Sequence, residues 1–252
     1  MNSIFRVRPL NYYAIDELKE LYLWFSRPCA FRGDTQDANI GAFMTDTEAI
    51  KKGFDSFFEQ ERVKKWLDAL SYTGICCFTK ELPAVKNLSV FPKCSGGNAI
   101  CVEYNKAEIE KCFVSSTGHP MGKCFHKVVY AKYPTKIQQD GEWSFLWKKT
   151  KDGEIYETIP GLLYSHPRKF DEFVIMLMTR LNMKFKKQKE ERIILGGINI
   201  PPHNTKARGY KISIPPSSIN RVWVYPMADE QLIDKLKGIS DIKGKLCYVL
   251  SC

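Results

Sequence analysis

At 252 residues, 44% hydrophobic and 26% charged, the chain has the composition of an ordinary globular protein rather than of a disordered one. No run of about 18 apolar residues is present, which excludes a simple membrane-crossing helix. The net charge of +10 points to polyanionic partners, whether nucleic acid, nucleotide phosphate or an acidic protein.

The opening MNSIFRVRPLNYY has neither the apolar core nor the small-residue cleavage site of a secretory signal, so the expectation is a cytoplasmic protein with no membrane association. Within it, IFRVR (4–8) alternates apolar and basic residues, the period of a half-buried strand. Ile15, Leu18 and Leu21 share one face of a helix predicted over 14–21, and LYLWFS (21–26) follows as a strand stopped by Arg27-Pro28. FRGDTQDANIG (31–41) has the Gly and Asp content of a turn-rich loop. A long helix is predicted over 47–70, from the spacing of Ile50, Phe54, Phe57, Phe58, Trp66, Leu67 and Leu70.

GICCFT (74–79) and AICVEY (99–104) read as apolar strands flanking a loop over 83–98, and a short helix is expected over 106–113. HKVVYAKY (126–133) is a further predicted strand. The polar stretch 138–161 suggests a hairpin with turns at Asp140-Gly141 and Asp152-Gly153. FDEFVIMLMTRL (170–181) is the most apolar predicted helix. After it come ERIIL, a loop over 201–209, the strands YKISI and RVWVY, a helix ADEQLIDKLKG and a last strand LCYVL. Strands outnumber helices without regular alternation. The expected architecture is therefore one domain over 1–252 of the α+β class, a twisted, mainly antiparallel sheet with flanking helices.

The nine cysteines include no C-x-x-C pair, and with no export signal they read as reduced thiols. Cys124 and His126 are too few to specify a metal site, and no metal is expected. Phosphate-binding glycine loops, the G-x-S-x-G elbow and H-E-x-x-H are all missing, and the four histidines stand alone in sequence. The excess positive charge concentrates in KFKKQK (184–189), with Lys184, Lys186 and Lys187, and around Lys148 and Lys149. Such runs are usually solvated. With Trp143, Phe145 and Trp147, which alternate as one strand face would, the same lysines form a candidate stacking and phosphate surface for nucleic acid or an acidic acceptor.

IFRVRPL, LWFSRPCAFRGDTQD, GICCFTKE, ICVEY, KQKEERIIL and GYKISIPPSSINRVWVY together resemble, in order and over nearly the whole chain, a large bacterial family known as domain of unknown function twenty-nine seventy-one. Three departures stand out. Gly33 replaces the family Asn, VFPKCS (90–95) replaces M-W-x-H-Y-A, and Gln188 replaces the first Glu of an E-x-E pair.

The same order resembles, more distantly, the plan of ADP-ribosyltransferases, with a basic first-strand residue, a hydroxyl-bearing middle strand and a Q/E-x-E pair. That resemblance implies NAD as the substrate. Arg6 and Arg8 would hold its pyrophosphate, with Ser26 and Thr79 on the cofactor. Glu190 would be the carboxylate that stabilises an oxocarbenium-like ribosyl cation, and Gln188, two residues earlier on the same strand face, would position the acceptor. It further implies a toxin or anti-phage effector with a cognate inhibitor protein. A non-enzymatic nucleic-acid- or partner-binding protein, and a nuclease built on Asp34, Asp37 and Glu190, are the competing readings. On the plain reading of the residues, Arg6 and Arg8 are strand charges, and KKQKEER is the charged end of a helix with Glu191 and Arg192 paired on the surface.

Overall fold

The computed structural model describes residues 2–27, 44–45, 73–113, 119–132, 136–137, 147–149, 151, 155–157, 167–196 and 209–250. In chain order, the first elements are β1 (Ser3–Pro9), α1 (Tyr12–Lys19), β2 (Tyr22–Ser26), β3 (Met44–Thr45), β4 (Gly74–Thr79), β5 (Ala99–Asn105) and α2 (Lys106–Cys112). Short strands follow: β6 (His119–Pro120), β7 (His126–Lys127), β8 (Val129–Ala131), β9 (Lys136–Ile137), β10 (Trp147–Lys149) and β11 (Ile155–Glu157). The chain continues through α3 (Pro167–Met178), β12 (Arg180–Asn182), β13 (Glu190–Gly196), β14 (Gly209–Ser213), β15 (Ile219–Val224), α4 (Glu230–Lys237) and β16 (Leu246–Tyr248). The helix expected over 47–70 and the loop over 31–41 lie outside the described residues.

The main sheet runs β14-β2-β4-β1-β5-β15-β16, with β13 on β4 and the short β6 and β7 on β13. Its pairings are antiparallel except β15 with β16. The mixed, mainly antiparallel α+β architecture expected from the strand count is the one present.

β4 is a branch point. One of its edges pairs with β13 from Glu190 to Leu195. Its other edge meets β1 only at Phe5–Thr79 and β2 only at Ser26–Ile75. β1 and β2 therefore part from each other along β4, and α1, the connection between them, supplies what fills the fork. Arg6 of β1 forms a buried ion pair with Glu17 of α1. Arg6 Nη2 donates to the Trp24 carbonyl at 3.1 Å, while the Trp24 N–H donates to Glu17 Oε1 at 3.2 Å. One ion pair thus takes the place of a missing strand for both main-chain groups of Trp24, which would otherwise be costly orphans.

Strand alternation divides the side chains between two faces. Ile4, Cys76, Phe78, Val102, Tyr104, Ile193, Leu195, Val222 and Val224 join Leu18 of α1, Ile109 of α2 and Leu236 of α4 in the larger core. Phe78 packs edge-on to Tyr104 and Phe125, so truncating it to alanine costs about 3 to 5 kcal/mol. On the opposite face, Phe5, Val7, Cys101 and Trp223 pack with Leu88 of a 3-10 segment, Val85–Val90, and with Tyr225. That segment occupies the region expected to be loop over 83–98.

Two boundaries differ from expectation. The apolar helix stops at Met178 rather than 181, because the Thr179 hydroxyl bonds back to the Ile175 carbonyl at 2.7 Å and Arg192 Nη1 takes the Met178 carbonyl at 2.6 Å. Arg180–Asn182 then pairs in parallel with Val129–Ala131. The strand expected over 126–133 is broken at Val128, whose N–H donates to the Glu190 carbonyl at 3.1 Å.

A candidate lysine-lined cleft

KFKKQK does not extend the apolar helix. Asn182 accepts the Lys184 N–H at 3.0 Å and starts a 3-10 segment, Met183–Gln188. With three residues per turn, side chains at i and i+3 stack on one line, so Lys184 and Lys187 share one line. Lys189 then takes a left-handed conformation with φ 46°, and β13 starts at Glu190. This sharp turn delivers a lysine-rich ridge directly to the mouth of a strand.

The ridge borders an open cleft of about 660 Å³, lined by Lys80, Lys127, Lys184, Lys186, Lys187 and Lys189, with Val128, Tyr130, Met183 and Glu190 completing the wall. Two of the six lysines have carboxylate partners: Lys80 reaches Glu191 at 3.7 Å and Lys189 reaches Glu81 at 2.6 Å. Among the described residues, Lys127, Lys184, Lys186 and Lys187 have none.

Among the described residues Glu190 is the one acid on the cleft wall, and it is only 8% exposed. Its Oε1 accepts Arg192 Nε at 2.7 Å, and Arg192 is itself only 1% exposed, so the acid's charge is offset inside the protein. The Glu190 N–H donates to the Tyr130 hydroxyl at 2.7 Å. Burial, reinforced by the Glu190 charge, pushes that phenol up to about 12, so it stays a neutral donor facing the cleft.

The residues singled out from sequence separate. Thr79 and Glu190 are partners in the β4–β13 register and share a face, but Thr79 is buried off the cleft, with its hydroxyl on the Glu81 carbonyl at 3.5 Å. Phe5 pairs with Thr79, so Arg6, the next residue, points to the opposite face, where it is held by Glu17. Arg8 lies on Arg6's face and reaches Glu17 at 3.3 Å. Ser26 sits opposite Ile75, four residues from Thr79, or about 13 Å along the strand. The single pocket expected to join Arg6, Thr79 and Glu190 is therefore not formed.

Gln188 is also corrected. It ends the 3-10 segment instead of preceding Glu190 on the strand, and its amide donates to the Val90 carbonyl. Glu191 and Arg192 do not pair on the surface: both are buried, and Glu191 binds Lys106 at 2.9 Å on the far face from Glu190. Lys148 and Lys149 fall on the separate β10–β11 pair, and their side chains lie outside the described part of the structure. Asp34, Asp37, Trp143 and Phe145 lie outside the described residues.

Sequence reading missed Arg192, Tyr130, Lys80 and Lys127. Arg192 had a signal, since i and i+2 on a strand share a face and its opposite charge suits Glu190. The other three reach the cleft only through long-range strand pairing. Among the described residues no three potential metal ligands converge, and no helix is long and apolar enough to cross a membrane. No family model, curated protein or solved structure matches this chain, so the resemblances noted above rest on the quoted motifs alone.

Proposed function

We propose that the protein binds nucleic acid through the lysine-lined cleft. The observation that carries this reading is the grouping of Lys127, Lys184, Lys186 and Lys187 around one concavity with no carboxylate partner among the described residues. Like charges held this close repel one another, and phosphate oxygens relieve that repulsion while releasing counterions. Val128, Met183 and the Tyr130 ring supply apolar wall for sugar and base. The experiment is fluorescence anisotropy with a labelled single-stranded oligonucleotide, comparing wild type with Lys127→Ala/Lys184→Ala/Lys187→Ala. All three side chains lie at the surface, so a folded variant is expected. Binding at least tenfold weaker supports the reading, and unchanged binding refutes it.

A second reading keeps NAD and ADP-ribosyl transfer, because a fixed carboxylate, Glu190, lies on the wall of this same cleft. Lysines of the ridge, rather than Arg6, would then hold the pyrophosphate. Its test is nicotinamide release from NAD, abolished in Glu190→Gln.

A further inference from the structure

We infer that the cleft takes a condensed polyphosphate, the 5′-triphosphate end of a strand, rather than the interior of a strand; this rests on the nucleic-acid reading above. The argument is one of charge density. Among the described residues six lysines line the cleft; Lys189 is offset by Glu81, Lys80 shares Glu191 with Lys106, and the other four have no carboxylate partner. Glu190 does not reduce that number, since Arg192 already offsets it. The side chains that carry these four charges line about 660 Å³.

An extended strand carries one charge per phosphate, and adjacent phosphates lie roughly 6 to 7 Å apart. A concavity of that volume, about 11 Å across if round, therefore meets about two of them and leaves about half of the lysines unanswered. A terminal triphosphate puts about four negative charges into the same space, because its last phosphate carries nearly two. That matches the four free ammonium groups. The apolar and phenolic wall at Val128, Met183 and Tyr130 then lies where the first nucleoside would rest.

Free nucleoside triphosphate offers the same chemistry, so the experiment separates the two sources. One RNA 12-mer of fixed sequence is prepared with a 5′-triphosphate, a 5′-monophosphate or a 5′-hydroxyl, and the affinities are compared at one salt concentration. Inorganic tripolyphosphate and ATP serve as competitors. The expected result is at least tenfold tighter binding of the triphosphate end than of the hydroxyl end, and displacement by tripolyphosphate. ATP matching the triphosphate RNA would make the free nucleotide the source; ATP binding far more weakly would make it the strand end. In Lys127→Ala/Lys187→Ala both RNAs should bind more weakly, but triphosphate RNA should lose more than 5′-hydroxyl RNA, so that the triphosphate advantage shrinks below about threefold. Equal affinities for the three ends overturn the inference but leave nucleic-acid binding standing. No binding of any of them overturns both.

Discussion

Arg6 and Glu17 together bond both main-chain groups of Trp24, standing in for a strand where the sheet forks. Both side chains are almost fully buried, so loss of Glu17 leaves the Arg6 charge without its carboxylate, and loss of Arg6 leaves Glu17 to Arg8 at 3.3 Å and removes a donor to Trp24. Glu17→Ala and Arg6→Ala should each destabilise the protein by about 3 to 5 kcal/mol, read from urea unfolding midpoints. Ligand binding by the residual folded protein should be unchanged, since neither residue lines the cleft. A change in stability under about 1 kcal/mol would show that the fork closes without them.

The lysine ridge should carry a stability cost in the absence of an anion. Lys186→Gln and Lys187→Gln are expected to raise Tm at low ionic strength, with the difference vanishing near about 0.5 M salt, where exposed charges are screened. Inorganic tripolyphosphate should raise the wild-type Tm more than that of either variant. Thermal melts across a salt series measure both effects, and a Tm lowered by these substitutions would contradict the repulsion argument.

Glu190 separates the two functional readings. If phosphates occupy the ridge, Glu190→Gln makes the net charge at the cleft wall more positive by one unit, and polyanion affinity should rise by about two- to tenfold. An enzyme acting on NAD would instead lose nicotinamide release in that variant. Parallel anisotropy and nicotinamide assays on one preparation give the answer.

His126 is buried, and its Nε2 lies 2.7 Å from the Met121 carbonyl, consistent with a donated N–H. Burial, with Lys123 nearby, holds its pKa below the ordinary value of about 6.5. The neutral ring therefore contributes stability that is fully present above about pH 6.5 and is lost as the pH falls toward the folded-state value, because only the unfolded chain takes up the proton. Urea midpoints between pH 7.5 and pH 5 should fall more in wild type than in His126→Gln, which keeps a donor for Met121. Parallel pH profiles for the two proteins would refute this.

Thiol reactivity should follow burial. Cys76 and Cys124 are each pushed up to about 12 and Cys94 to about 11, chiefly by desolvation. At pH 8 almost none of each is thiolate. Iodoacetamide should label these three only after denaturation, as peptide mass mapping would show; rapid native labelling of Cys76 would mean the core opens readily.

Much of the fold was legible because its strands announce themselves locally. IFRVR, GICCFT and AICVEY carry their own periodicity, and the helices over 106–112 and 230–237 start at Asn105 and Asp229, side chains that accept main-chain N–H groups. The site was less legible. Glu190 was correctly placed at the mouth of a strand, but the left-handed turn at Lys189 breaks the i, i+2 relation to Gln188 that the motif suggested. Arg6 looked like a ligand-binding cation because its partner, Glu17, lies eleven residues away on a helix whose packing no local pattern specifies. Lys80, Lys127 and Tyr130 come from two other stretches of chain and meet the ridge only through the pairing of β13 with β4 and β7 and of β12 with β8.

The central claim is that four uncompensated lysines form one anion site, and its most direct test is the salt dependence of single-stranded oligonucleotide binding. For an oligonucleotide that carries a 5′-triphosphate, four ammonium–phosphate charge pairs predict a slope of log K against log salt of about −3, made shallower by about 0.7 for each of Lys127, Lys184, Lys186 and Lys187 changed to alanine. A flat salt dependence, or a slope indifferent to those four substitutions, would contradict the account.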